Sequence, residues 1–439
     1  MIEDPGALAL ALFWLAINLA VLLPRAASFG NGGDWAVRFL VHNLTMPLRP
    51  FADAARLRRA RRRAPARFRL LRHAPTLMLP LVGSIVFLAL FARANPLIGD
   101  ALAGIDLGLL FAGLSIVRLV FWAFMLMLVW RLLRPRLLAR RLGPSRWDLV
   151  LPGVSVASVT LSMLAFNLIF AVQNALDLAF LWTGGALPQG MSHAEYAHRG
   201  AYPLIATALL AGLFVLVTLR PGSATAGSGT IRRLVSVWIA QNVFLVASTM
   251  LRTLDYIAAY SLTELRIQAL VWMALVAVGL VLICARLWLG RSGAWLLNAN
   301  LAAAASVLLV STAVDYDRMA AGWNVRHARE VGGKGASLDL CYLFQMGPSS
   351  LLPLIELESR PLPSHLRLRV MWLRNYQMDR LEALQASRSW TWRGARRLDA
   401  ARAAVAERRL PRFEAPWRNC DGTVPRSEAA HPLTSGEGR

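Results

Sequence analysis

The residues best placed to do chemistry lie in one polar interruption of an apolar stretch, MLRTLDYIAAYSLTELRIQALVWMALVAVGLVLICARLWL, between Met250 and Leu289. On a continuing helix Arg252, Asp255, Tyr256 and Ala259 share one face, and Tyr260 follows Tyr256 by one turn. An acid, a base and two phenols on one face, followed by Thr263 and Arg266, are the ingredients of an ion-pair network, an anion site or a proton relay. Charges beside hydrocarbon persist only where they pair, line a wet cavity or reach the surface. A structural reading stands beside this one. Ser261 to Glu264 would form a capping box for the next helix, with Tyr260 and Arg266 as interfacial anchors.

Two further ionisable groups fall inside apolar segments. Arg118 lies near the middle of the segment 107–130, and Asp177 lies in TLSMLAFNLIFAVQNALDLAFLW, where Asn167, Asn174 and Asp177 line one helical face. Asp177 is the expected partner of Arg118, and the two amides are expected to act as interhelical glue. His193, Glu195 and His198 suggest a metal trio, but five positions between the histidines do not fit one helix face, so no metal is expected. Lys334 in GGKG lacks both the earlier glycine and the following Ser or Thr of a phosphate loop. With no nucleophile elbow or zinc helix either, hydrolase and transferase chemistry is disfavoured and no cofactor is expected.

The elements that must position these groups are membrane helices. A chain with 56% hydrophobic residues and a mean hydropathy of +0.47 is too apolar for an ordinary soluble domain. Apolar runs predict an all-α, polytopic bundle over 1–314, with about eight spans near 7–23, 76–91, 107–130, 160–183, 202–219, 234–257, 265–289 and 294–314. A small extramembrane helical domain follows over 315–415, and 416–439 reads as a disordered tail. Glu3 and Asp4 stand where a signal peptide would be basic, so the first run reads as a retained helix.

Net charge is +23 and almost wholly arginine. Twelve arginines lie between Pro24 and Pro75, densest from Arg49 to Arg72, a segment that could also hold anionic lipid headgroups. On the eight-span reading, loops on one side hold 23 basic residues and those on the other, the hinge included, hold 4. The arginine-rich loops are then cytoplasmic, and the hinge, the Glu195 loop and the C-terminal domain are extracytoplasmic. Cys341 and Cys420 can pair if that side is oxidising, whereas Cys284 lies within a span. This placement makes nucleic acid a disfavoured partner despite the basic charge.

The hinge resembles a bacterial membrane family catalogued as domain of unknown function four-one-seven-three, with its Arg-x-x-x-Tyr-Ile-x-x-Tyr-Gly-Leu-Thr-x-x-Arg pattern. Arg252, Tyr256, Ile257, Tyr260, Leu262, Thr263 and Arg266 fit, and Ser261 stands where the pattern has glycine. Leu187, Pro188, Gly190, Glu195, Tyr196, Arg199 and Gly200 resemble a loop of that family. Asn324, Asp339, Tyr342, Leu343, Ser350 and Pro353 resemble a later segment, and Trp390 and Trp392 its ending. The resemblance implies a membrane protein without a known reaction. The functional expectation is a non-enzymatic inner-membrane scaffold or sensing component with a membrane or periplasmic protein partner. The alternative is a secondary transporter using Arg118, Asp177 and Asp255.

Overall fold

A computed structural model describes residues 6–26, 29–45, 49–63, 115–134, 155–183, 210, 213–215, 218–219, 223–387, 389–412 and 418–424. Among them the regular structure is helical throughout, without strands. Five helices are long and apolar enough to cross a membrane, the first of them Ala7–Arg25 with its short 3-10 end. Its α-helical part is α1, Ala7–Leu22, followed by α2, Gly32–Leu44, α3, Arg49–Arg63, and α4, Ile116–Leu133. The other four long apolar helices are α5, Val156–Asp177, α6, Gly229–Tyr260, α7, Glu264–Trp288, and α8, Gly293–Ala313. Among the described residues, five further α-helices follow α8: α9, Tyr316–His327; α10, Leu340–Gln345; α11, Leu351–Glu358; α12, Ser364–Ala386; and α13, Trp392–Glu407. The expected span at 76–91 and most of that at 202–219 lie outside the described residues.

The chain forms two compact units: Leu15–Arg146 is one, and Met1–Trp14 with Trp147–Arg439 is the other. Within the smaller unit, Asp53 on α3 is buried and accepts a hydrogen bond from the Trp130 indole of α4 at 3.3 Å. Arg118 belongs to this unit, on the exposed side of α4.

In the larger unit, local chemistry sets where helices begin. Ser155, Ser228, Thr263, Ser292, Asp315, Asp339 and Thr391 each accept a hydrogen bond from the backbone N–H three residues on, satisfying one donor that the first turn leaves open. Helices α5 and α6 then pair through a ladder of polar side chains. Asn167 donates to the Leu234 carbonyl at 3.0 Å, Gln241 donates to Asn167 Oδ1 at 2.9 Å, and Asn174 donates to the Gln241 carbonyl at 3.2 Å. Because both partners advance together, the two helices run parallel. Phe214, Val215 and Leu219 pack in their core, where Trp238 meets the rings of Phe166, Phe170 and Phe214.

Helices α6, α7 and α8 instead follow one another as hairpins, joined at residues 261–263 and 289–292. At α6, 32 residues long, the rise per residue gives about 48 Å, well beyond a hydrocarbon core of about 30 Å. The excess carries its C-terminal end into the packing of α9–α12. Ile257, Leu262 and Ile267 from the α6–α7 corner share one core with Ala320, Val325, Leu343, Leu354 and Leu373. A neighbouring core, Leu351, Ile355, Leu381, Leu398 and Ala401, seats α13.

The polar interior of this C-terminal region holds one fully buried ion pair, Arg374 with Glu358 at 2.8 Å. Burial pushes the Glu358 carboxyl up and the Arg374 guanidinium down, so desolvation outweighs their mutual attraction. The GGKG loop has a structural role. Gly332 adopts φ 81°, and a Cβ on Gly333 would lie 2.2 Å from the His327 carbonyl oxygen. Residues 418–424, expected to open a disordered tail, form a turn instead. It is tied down by the Cys341–Cys420 disulfide, with Cα atoms 4.7 Å apart, and by Arg369, which contacts the Asp421 carboxylate at 2.7 Å.

Candidate functional site

The corner between α6 and α7 is a helical hairpin with almost no loop, and every such turn leaves backbone groups without intrahelical partners. Ser261, the first residue past α6, adopts φ 72° and ψ 164°, a region that glycine alone occupies without strain. The structural cap of α7 is Thr263 rather than Ser261; its hydroxyl accepts from the Arg266 N–H at 3.4 Å.

Partners then arrive from three directions. Arg266 folds back so that its guanidinium donates to the Tyr260 carbonyl at 2.7 Å and also to the Ser261 carbonyl. A cation at the carboxyl end of α6 also complements the helix dipole. The same guanidinium lies over the Tyr256 ring, 4.1 Å from its centroid, and Tyr256 in turn contacts Tyr260 with ring centres 5.0 Å apart. Asn324 of α9 takes both polar groups of the next peptide unit. It accepts from the Leu262 N–H at 2.7 Å and donates to the Leu262 carbonyl at 2.9 Å. Tyr342 of α10 completes the set, its phenol oxygen accepting from the Glu264 N–H at 3.2 Å. Burial pushes the Tyr342 phenol up, which keeps it protonated at neutral pH.

One turn below, the ionisable residues are sorted by exposure. Arg252 is buried and pairs with buried Asp177 of α5, which also accepts from Gln173 at 3.0 Å. Asp177 is therefore the partner of Arg252, where the sequence suggested Arg118. Asp255 points outward and makes no hydrogen bond or ion pair among the described residues, so it leaves the expected acid–base face. Asp339 caps α10 by accepting from the Tyr342 N–H at 2.9 Å, which sets that helix for the contact with Glu264. Glu195, Tyr196 and Arg199 lie outside the described residues.

Beside the corner opens a cavity of about 940 Å³. Its polar wall holds Glu264, Asp315, Asp317, Arg380, Arg393 and Arg397, and its apolar wall includes Leu8, Val271, Trp272 and Leu308. Asp315 caps α9, accepts from Ser349 at 3.4 Å and pairs with Arg397. Burial, then the charges of Glu264 and Asp315, raise the Asp317 carboxyl to about 6 against the opposing pull of Arg397. Gly394 lies in the same wall, where a Cβ would meet the Gln385 amide at 2.2 Å. Sequence reasoning passed over Asp315, Asp317, Arg380 and Arg397. The available signal was an acidic pair, Asp-Tyr-Asp, directly after an apolar span in an otherwise basic C-terminal region. No group of three or more His, Cys, Asp or Glu side chains fit to hold a metal occurs among the described residues.

Together these features define an all-α helical bundle in which five helices are long and apolar enough to cross a membrane and the C-terminal helices pack on a hairpin of two of them. The chain belongs to the family described as Domain of unknown function (DUF4153), whose model matches residues 4–357. That match replaces the resemblance to family four-one-seven-three read from the hinge, loop and tail motifs. No curated protein and no solved structure matches the chain.

Two outcomes follow from the corner and the cavity. Ser261→Gly relieves the strained backbone at some cost in unfolded-state entropy, and should stabilise the protein by about 1 kcal/mol in a thermal melt in detergent. The Asp317 carboxyl is raised on folding, so the stability linked to its protonation is complete below about pH 3.8 and lost as pH rises through about 6. Asp317→Asn should therefore raise stability at pH 7.5, by about 1 kcal/mol once solvent screening of this half-buried group is allowed for. The gain should disappear at pH 4, and its persistence there would contradict the assignment.

Proposed function

We propose that the chain is a non-enzymatic scaffold or sensing component of the bacterial inner membrane, with its C-terminal helical domain on the extracytoplasmic side. The observation that carries this reading is the locked corner, in which Asn324 and Tyr342 of the C-terminal region hold the backbone between two spans. Such a joint couples whatever binds the extramembrane helices to the positions of α6 and α7. The partner implied is a membrane or periplasmic protein, and the arginine-rich segment Arg49 to Arg72 fits anionic lipid headgroups on the cytoplasmic face. The Cys341–Cys420 disulfide supports the extracytoplasmic side, because such bonds persist in oxidising compartments.

Ion-coupled transport is the second reading. What favours it is Asp177, a carboxylate within a span whose Oδ2 is buried without a hydrogen bond. Against it, the other oxygen is already held by Arg252 and Gln173, which suits fixed helix packing.

Proteoliposomes separate the two. A scaffold should give no protein-dependent proton or anion flux in either wild type or Asp177→Asn, whereas flux that the substitution abolishes would overturn the scaffold reading. The side is tested in intact bacteria carrying Cys284→Ser, where an impermeant maleimide should label Cys341 and Cys420 only after reductant. Labelling that requires an opened membrane would put the domain in the cytoplasm.

A further inference from the structure

The cavity beside the corner has a composition that the scaffold reading does not use. Along α7 its lining runs from Glu264 to Trp272, eight residues or about 12 Å, from the end of the span down one apolar flank. Val271, Trp272 and Leu308 belong to helices long and apolar enough to cross a membrane; with those helices in a bilayer, this flank would meet acyl chains and the charged wall, near the helix ends, would meet headgroups. A volume of about 940 Å³ is at the upper end of ligand sites, which run to about 1,000 Å³.

The charges are balanced but not mutually paired. Arg397 and Asp315 neutralise one another. Glu264 accepts only from the neutral amide of Gln268 at 2.9 Å, and Asp317 and Arg380 make no hydrogen bond or ion pair among the described residues. The wall thus offers two carboxylates and a guanidinium that make no direct ion pair among the described residues. A ligand that meets both must carry both signs on one head and an apolar tail.

We propose that the cavity holds one zwitterionic aminophospholipid, its primary ammonium between Glu264 and Asp317 and its phosphate on Arg380. The ammonium donates charge-assisted hydrogen bonds to the carboxylates, and the phosphate accepts them from the guanidinium. An anionic lipid would meet Arg380 but face two carboxylates. A quaternary choline head would match the charges but has no N–H to donate. Burial first, and then the charges of Glu264 and Asp315, raise the Asp317 carboxyl, and a cation seated beside it would offset both. The inference goes beyond the scaffold reading and stands whether or not a protein partner exists.

The test is native mass spectrometry of the full chain, delipidated in detergent and offered equal amounts of phosphatidylethanolamine, phosphatidylcholine and phosphatidylglycerol with identical acyl chains. One phosphatidylethanolamine should be retained, about tenfold over either competitor, the ratio one additional charge-assisted contact of ordinary strength supplies. Asp317→Asn should remove that preference, and Arg380→Gln should lower the retention of all three lipids, because each carries the phosphate. Arg402→Ala, which breaks an exposed pair with Glu382 outside the cavity, should keep both the preference and the retention. Arg380 is exposed, so its substitution reads the site even if Asp317→Asn alters folding. Equal retention of the three lipids, a preference for phosphatidylglycerol, or undiminished retention in Arg380→Gln would overturn the proposal.

Discussion

Everything distinctive in this structure follows from the cost of an unpaired peptide group. Two long helices joined by three residues leave the last carbonyls of one and the first amides of the other without intrahelical partners, and Leu262 between them is 9% exposed. Water reaches the Leu262 peptide groups poorly, so their partners come from the chain. Arg266 serves the carbonyl end, Asn324 the Leu262 peptide, and Tyr342 and Thr263 the amide end. A buried donor or acceptor left open costs about 1–3 kcal/mol, so the corner as a whole outweighs any single exposed ion pair in the molecule. It fixes the C-terminal helices against the membrane hairpin.

The second layer is hydrophobic and follows from the first. Once Asn324 is seated, Val325, Ala320 and Ala321 on the same helix meet Ile257 and Ile267 across the corner. The disulfide from Cys341 to Cys420 acts on the adjacent helix, one residue from Tyr342, and closes a loop of 79 residues over α11, α12 and α13. In the unfolded chain that closure removes conformational freedom, a contribution of about 4 kcal/mol by loop-entropy reasoning. The polar contacts at the corner are thus carried by a region with independent reasons to stay folded.

Much of the fold was legible in the sequence because hydrophobic run length is a one-dimensional signal. The all-α class follows from such runs, and Ala7–Leu22, Glu264–Trp288 and Gly293–Ala313 are among the helices they form. The hinge residues and Asn324 and Tyr342 were each visible as polar residues in distinctive settings. What connects them was not visible. Separations of 62 residues from Leu262 to Asn324 and 78 from Glu264 to Tyr342 leave no periodic trace. Helical spacing also misled at Asp255, since Arg252 and Asp255 are three residues apart yet one is buried and the other exposed. Depth and rotation in the bundle, which depend on neighbouring helices, decide between those outcomes. For the same reason Arg118 looked like the natural partner of Asp177 until the parallel ladder between α5 and α6 brought Arg252 alongside.

The most direct measurement of the corner's role is amide hydrogen exchange of residues 261–266 in the detergent-solubilised protein, wild type against Asn324→Ala. Strong protection of the Leu262 and Glu264 amides in wild type, lost in the variant while the centre of α7 stays protected, is the expected result. Equal exchange at those amides in the two proteins would mean that the C-terminal helices do not hold the hairpin, and the coupling between them would have no physical basis.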